Sequence, residues 1–181
     1  MIIRRSIKWF VLLAGALFTA QLTALQSDQE QPIEIEADAA ELDDRTGITV
    51  YSGNVIVIQG SMHLYGNKLT ITYNDDNSLK TANMLGKPAK FRQMPDNKAQ
   101  GEIKGKGIKI EYLASENILR LTEEAELVQK GKMFRAYKID YDTEKSKMIA
   151  RKAVAGEVTP SGKTAAKNAG RIKVILPPKQ K

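Results

Sequence analysis

Apolar and polar side chains alternate over most of residues 33–155, and this period of two constrains the fold more than any other feature of the chain. Leu69, Ile71 and Tyr73 stand between Lys68, Thr70 and Thr72. Ile108, Ile110 and Tyr112 flank Lys109 and Glu111, and the same rule governs Leu119, Leu121, Ala125 and Leu127, then Tyr137, Ile139 and Tyr141. Successive strand side chains point to opposite faces, so each run has one apolar and one polar face, as a half-buried antiparallel strand requires. A helix of 3.6 period would scatter the same residues around its circumference. Turn-forming clusters at 44–47, 59–61, 74–78, 95–97, 115–117, 130–132 and 142–146 cut the chain at hairpin spacing. The expectation is an all-β fold of consecutive antiparallel hairpins.

The strands also repeat. Val55-Ile56-Val57-Ile58-Gln59 aligns with Ala89-Lys90-Phe91-Arg92-Gln93 and with Ala125-Glu126-Leu127-Val128-Gln129, and each is followed by a turn and a strand ending in Tyr: 66–73, 105–112 and a shorter 136–141. A β unit repeated at a period in the thirties points to stacked hairpins, none of which buries its apolar face alone. Val55, Val57, Ala89, Phe91, Ala125 and Leu127 then form the inward columns of one strand set. Leu69, Ile71, Tyr73, Ile108, Ile110, Tyr112, Ile139 and Tyr141 form those of the other. This interior is either a packed core or an apolar trough. Aromatic residues are only 6% of the chain, so many inward places hold Val, Ile or Ala, which favours incomplete filling. A sheet open at both ends exposes edges to which another chain can add a strand.

Arg4, Arg5 and Lys8 precede an uncharged run at 9–20 and a polar stretch, the layout of a secretory leader, with Ala24, or else Ala20, as its last residue. The run of about a dozen residues is short of the roughly 20 that span a bilayer. The expected division is a leader at 1–24, a β body at 25–155 and a basic extension at 156–181 with a final strand near 171–176. Cysteine is absent, so neither disulfides nor zinc-thiolate sites contribute. The net charge of +7 is unevenly placed: the leader is basic, and residues 151–181 carry eight Lys and Arg against Glu157 alone, while 25–150 hold 17 bases against 20 acids. That tail contains no Phe, Tyr or Trp, which argues against nucleic acid, where stacking residues accompany the cations.

No catalytic constellation emerges. His63 is the sole histidine and stands in a strand pattern. Asp75-Asp76-Asn77 lacks the spacing and distal Glu of a calcium loop. Ser161-Gly162-Lys163-Thr164 lacks the upstream Gly spacing and following helix of a phosphate loop and reads as a flexible connector. Gly101, Gly105 and Gly107 fit strand entries and bulges, and Glu123, Glu124 and Glu126 fit a solvated loop. An enzyme is not expected, nor a cofactor or metal.

Gln31-Pro32-Ile33-Glu34-Ile35-Glu36-Ala37-Asp38, Gly53-Asn54-Val55-Ile56-Val57-Ile58-Gln59-Gly60 and Gly86-Lys87-Pro88-Ala89-Lys90-Phe91-Arg92-Gln93 resemble, in that order, the successive motifs of the OstA-like (LptA) family of periplasmic lipopolysaccharide-transport proteins, and Gly170-Arg171-Ile172-Lys173-Val174-Ile175-Leu176-Pro177 resembles the family's last strand. The resemblance implies a twisted, V-shaped antiparallel β-jellyroll, open at both ends, whose groove holds the acyl chains of lipopolysaccharide. It also implies head-to-tail assembly with copies of itself in the periplasm. An inner-membrane transport complex (LptC-like) would dock at the N-terminal edge, and an outer-membrane translocon (LptD-like) at the C-terminal edge. Carried onto this chain, Ile33 and Ile35 line the groove near the N-terminal edge and Phe91 and Tyr112 lie deeper. Val55, Val57, Leu69, Ile71, Tyr73, Ile108, Ile110, Leu127 and Ile139 complete the lining. Arg171, Ile172, Lys173, Val174, Ile175 and Leu176 form the docking edge. A membrane-anchored adaptor of the same system is the alternative, favoured if the leader is retained.

Overall fold

The computed structural model describes residues 28–178 apart from 96, 167 and 168, so the expected leader lies outside the described residues. The alternating runs form ten strands: β1 (Glu34–Glu36), β2 (Ala39–Asp43), β3 (Ile48–Gln59), β4 (Met62–Tyr73), β5 (Leu79–Gln93), β6 (Ile103–Leu113), β7 (Ile118–Gln129), β8 (Lys132–Asp142), β9 (Lys147–Arg151) and β10 (Lys173–Ile175). They make one antiparallel sheet in the order β1-β3-β4-β5-β6-β7-β8-β10, with β2 also on β3 and β9 also on β8. Among the described residues the only helical segments are 3-10 turns of three residues.

Each long strand is interrupted near its middle. Pairing skips between Ser52 and Val55 on β3, Tyr65 and Lys68 on β4, Leu85 and Ala89 on β5, Lys106 and Lys109 on β6, and Thr122 and Ala125 on β7. Bulges bend and twist a strand, and aligned across five neighbours they crease the sheet into two facing walls. One wall ends in the turns at 60–61 and 130–131 and the 3-10 turn Lys98–Gln100; the other ends at 74–78, Ala114–Glu116 and 143–146. The crease also resets the alternation. On β4 the inward residues are Met62 and Leu64 before the bulge and Leu69, Ile71 and Tyr73 after it; on β8 they are Phe134 and Ala136, then Ile139 and Tyr141. On β3 and β7 two bulge residues at positive φ, Gly53-Asn54 and Glu123-Glu124, keep the parity instead.

The repeat seen in the sequence thus has a structural meaning: Val55, Ala89 and Ala125 are the first paired residues after the crease in β3, β5 and β7. The inward columns belong to the two halves of the same strands, not to separate strand sets. The third repeat is not shortened, since β8 runs the full 11 residues from Lys132 to Asp142.

Burial follows from the crease. Val55, Leu69, Met84, Ile103, Ile110, Leu121, Leu127 and Ile139 are completely enclosed. Gly66 and Gly105 are small because the opposing side chains need their space. A Cβ on Gly66 would lie 2.4 Å from Met84 Sδ, and one on Gly105 2.8 Å from Leu121 Cδ2. The segment after β9 is not a loose connector: Ala153 and Ala165 bury Tyr137 on the outer face of β8. Ser161 donates to Glu123 through its backbone N–H (2.9 Å) and its Oγ (2.5 Å).

Candidate functional site

The register aligns one inward residue from every strand between the two edges. Ile35 pairs with Val57, Val57 with Leu64, Leu64 with Phe91, Phe91 with Gly105, Gly105 with Leu127, Leu127 with Phe134, and Phe134 with Val174. This apolar row crosses the whole sheet. The facing wall supplies Leu69, Ile71, Ile110, Leu121 and Ile139, with Tyr73 and Tyr112 partly buried against them. Burial raises the phenols of Tyr73 and Tyr112 above their ordinary values, and at Tyr73 the neighbouring Tyr51 adds to the shift.

Eleven of the thirteen residues assigned to the lining from the sequence therefore belong to one cluster: Ile35, Val55, Val57, Leu69, Ile71, Tyr73, Phe91, Ile110, Tyr112, Leu127 and Ile139. Two do not. Ile108 sits within the β6 bulge, outside the cluster, because the extra residue shifts it off the inward face. Ile33 precedes β1 and is 55% exposed. Sequence reasoning left out Met84 and Ile103, both fully buried. Met84 is flanked by Ala82 and Asn83, which blur the alternation, and Ile103 lies among Gly and Lys.

Side chains of the two walls pack against each other in the interior of this conformation, with Leu69, Met84, Ile103, Ile110, Leu121, Leu127 and Ile139 fully enclosed. Polar groups line the mouth between the walls, and one hydrogen bond crosses it. Gln59, Gln93 and Gln129 occupy the same position in the three repeats and donate from Nε2 to the Gln31 carbonyl (3.1 Å), Asp28 Oδ2 (2.9 Å) and the Gln100 carbonyl (3.2 Å). Ser146 Oγ on the far lip donates to Gln100 Oε1 on the near one, at 2.7 Å.

The two sheet ends differ in charge and share exposed apolar residues. Asp28, Glu30, Glu34, Glu36, Asp38, Glu41, Asp43 and Asp44 stand at the N-terminal end with Arg45 as the only base. Lys147, Arg151, Lys152, Lys163, Arg171 and Lys173 stand at the other with Glu157 as the only acid of that segment. Leu42 is 66% exposed at the first end, and Ile172, Val174, Ile175 and Leu176 are exposed at the second. Of the residues assigned to the docking edge, Lys173, Val174 and Ile175 form β10, while Arg171, Ile172 and Leu176 flank it. Among the described residues neither β1 nor β10 has a partner on its outer side.

The outer face of the bulge-to-lip half carrying 74–78 is charge-paired across strands. Lys109 meets Glu111 at 2.9 Å along β6, Arg120 reaches across to Glu111 at 3.7 Å and to Asp140 at 2.7 Å, and Arg151 closes the chain on Asp140. Burial would raise the Asp140 carboxyl, but the hydrogen bonds and charges of Arg120 and Arg151 outweigh it and hold the group below the usual range. His63 lies on the outer face, stacked on Tyr65 with its Nδ1 3.2 Å from the phenol oxygen. Among the described residues no three His, Cys, Asp or Glu side chains gather as metal ligands, and no helix is long and apolar enough to cross a membrane.

The Pseudomonas aeruginosa lipopolysaccharide export system protein LptH is 36% identical over 169 residues, covering 93% of this chain and 92% of that protein. The Escherichia coli LptA is 32% identical over 143 residues, 77% of this chain and 76% of its own length. The crystal structure of Pseudomonas aeruginosa LptH, described as the LptA homologous periplasmic component of a lipopolysaccharide transport device, superimposes with a TM-score of 0.72 at 35% identity, over 84% of this chain and 100% of that one. The family described as LptA/(LptD N-terminal domain) LPS transport protein matches residues 34–147, and the chain, a β-jellyroll creased along its bulges, belongs to that family.

Proposed function

We propose that this chain is a non-catalytic periplasmic carrier, freed of a leader at 1–24, that shields the acyl chains of lipopolysaccharide between its two walls and bridges the periplasm by end-to-end assembly. The observation that carries this reading is the apolar row from Ile35 to Val174, unbroken across the sheet and open at both edges. A second protomer adding its β1 to a free β10 satisfies the unpaired edge groups and brings the next Ile35 into the row beside Val174. The acidic first edge and the basic last edge select this polarity over head-to-head pairing. The inner-membrane complex then meets the N-terminal edge and the outer-membrane translocon the C-terminal one.

Because side chains of the two walls pack against each other, acyl chains enter by parting the walls, with the Ser146–Gln100 hydrogen bond as the contact to be broken across the mouth. Lipid tails return about 0.8 kcal/mol per CH₂ buried, so a few chains replace the apolar contacts that the opening disrupts. A photo-crosslinking residue placed in turn at Phe91, facing inward, and at Thr70, on the outer face, tests the assignment. Capture of lipopolysaccharide at Phe91 and not at Thr70 is expected. Capture at neither position in folded protein overturns the carrier reading.

A further inference from the structure

The outer surface of the wall that carries Phe91 has a cation cluster that the sheet itself does not explain. Lys90 pairs directly across from Lys106, and Arg92 directly across from Lys104, on β5 and β6. Like charges facing each other on neighbouring strands are destabilising. On the other wall the row Glu111, Arg120 and Asp140 alternates in sign across three strands, and although Lys138 faces Arg151 there, each of those two cations has a carboxylate, Glu157 and Asp140. Here relief is partial. Lys104 meets Glu102 at 2.8 Å and Lys106 shares Glu126 with Arg135. Lys90 and Arg92 are exposed and have no ion-pair partner among the described residues. The four cations border a basin of about 250 Å³ that Tyr65, Phe91, Gly105, Val128 and one carboxylate, that of Glu126, also line.

We infer that this basin holds phosphate groups of the lipopolysaccharide headgroup, folded over the lip of the mouth while its acyl chains lie inside; the inference rests on the carrier reading above. Cross-strand neighbours stand about 5 Å apart and alternate residues along a strand about 7 Å apart. The cluster thus offers a rectangle of four positive charges at the scale of a phosphate. Arg92 adds a planar fork suited to bidentate contact with phosphate oxygens. Position supports the same ligand: Arg92 and Lys104 are each one residue from the lip end of their strands, Gln93 and Ile103. A headgroup leaving the mouth on this side meets them first and Lys90 and Lys106 next. The concave floor favours one discrete headgroup over a flat membrane surface.

The test uses the full mature chain and the fully deacylated, phosphate-bearing carbohydrate of lipopolysaccharide, which cannot occupy the apolar interior. Calorimetric titration is expected to show binding that weakens at least tenfold in the Lys90→Gln/Arg92→Gln double variant, and equally when the probe's phosphates are removed enzymatically. Lys80→Gln, an exposed change on the other wall, serves as the control and is expected to leave binding unchanged. Binding indifferent to the double variant or to phosphate removal overturns the inference. Competition by inorganic phosphate at the same concentration overturns it too, since the basin would then recognise any phosphate. Intact lipopolysaccharide is titrated alongside. If it binds and the deacylated probe does not, the basin assignment falls and the carrier reading stands; if neither binds, both fall.

Discussion

Leu121 tests whether side chains and acyl chains compete for the same space. It is fully enclosed, and its Cδ2 packs over Gly105 on the opposite wall. Leu121→Ala removes three carbons and leaves a hole between the walls that the creased sheet cannot close fully. Enclosed Leu→Ala changes cost about 3–5 kcal/mol. Taking about 3 kcal/mol, a domain of this size is expected to melt about 6–12 °C lower, read by circular dichroism. The same loss weakens the closed state relative to an open, lipid-accepting one, in which Leu121 no longer bridges the walls. If that competition governs binding, the competent fraction rises and affinity for lipopolysaccharide increases by up to about a hundredfold. The variant is therefore less stable alone and more strongly stabilised by ligand. Weakened lipopolysaccharide affinity, or an affinity unchanged despite the lower melting temperature, refutes the idea that tails displace the core.

Gly66→Ala places a Cβ 2.7 Å from the Leu85 carbonyl oxygen as well as against Met84, and a destabilisation of about 1–3 kcal/mol is expected in urea unfolding. The folded Asp140 carboxyl titrates below its unfolded value, so its contribution to stability is present above the unfolded carboxylate pKa and is lost as pH falls through the lowered folded one. Asp140→Asn is expected to make stability less dependent on pH across that acidic window, and an unchanged pH profile counts against the ion-pair chain. End-to-end assembly driven by an acidic and a basic edge is expected to shrink between 0.1 and 1 M salt, where the screening length falls from about 10 to about 3 Å; light scattering that shows larger assemblies at high salt assigns the contact to the exposed apolar residues alone. Deleting residues 171–181 removes β10 and is expected to give a folded monomer, and filaments formed by this truncation would place the docking edge elsewhere.

Much of the fold was legible in the chain because strand periodicity is a local property. Alternation at 69–73, 110–112 and 139–141 marks inward faces without knowledge of any partner, and the repeated Val55, Ala89 and Ala125 positions mark equivalent places in three hairpins. The jellyroll and the family follow from the order of those motifs. What alternation cannot carry is a change of phase. At the β6 bulge one extra residue moves Ile108 off the inward face although the alternation Ile108, Ile110, Tyr112 runs on through it; Gly107 beside it fits a bulge but does not say which neighbour changes face. The bulges are decided by pairing with a neighbour, and so is the crease that turns one sheet into two walls. Register likewise decides which charges meet. Lys90 and Arg92 are outward by simple alternation, but only the pairing of β5 with β6 sets them against Lys106 and Lys104, 12 to 16 positions away, and only the pairing of β7, β8 and β9 brings Arg120 and Arg151 to one carboxylate. The sequence by itself determined which face of each strand avoids water, since that is a preference of single residues. The tertiary structure decided where each face turns, which cations lack a partner and how the interior closes, since those depend on contacts between residues that are distant in the chain.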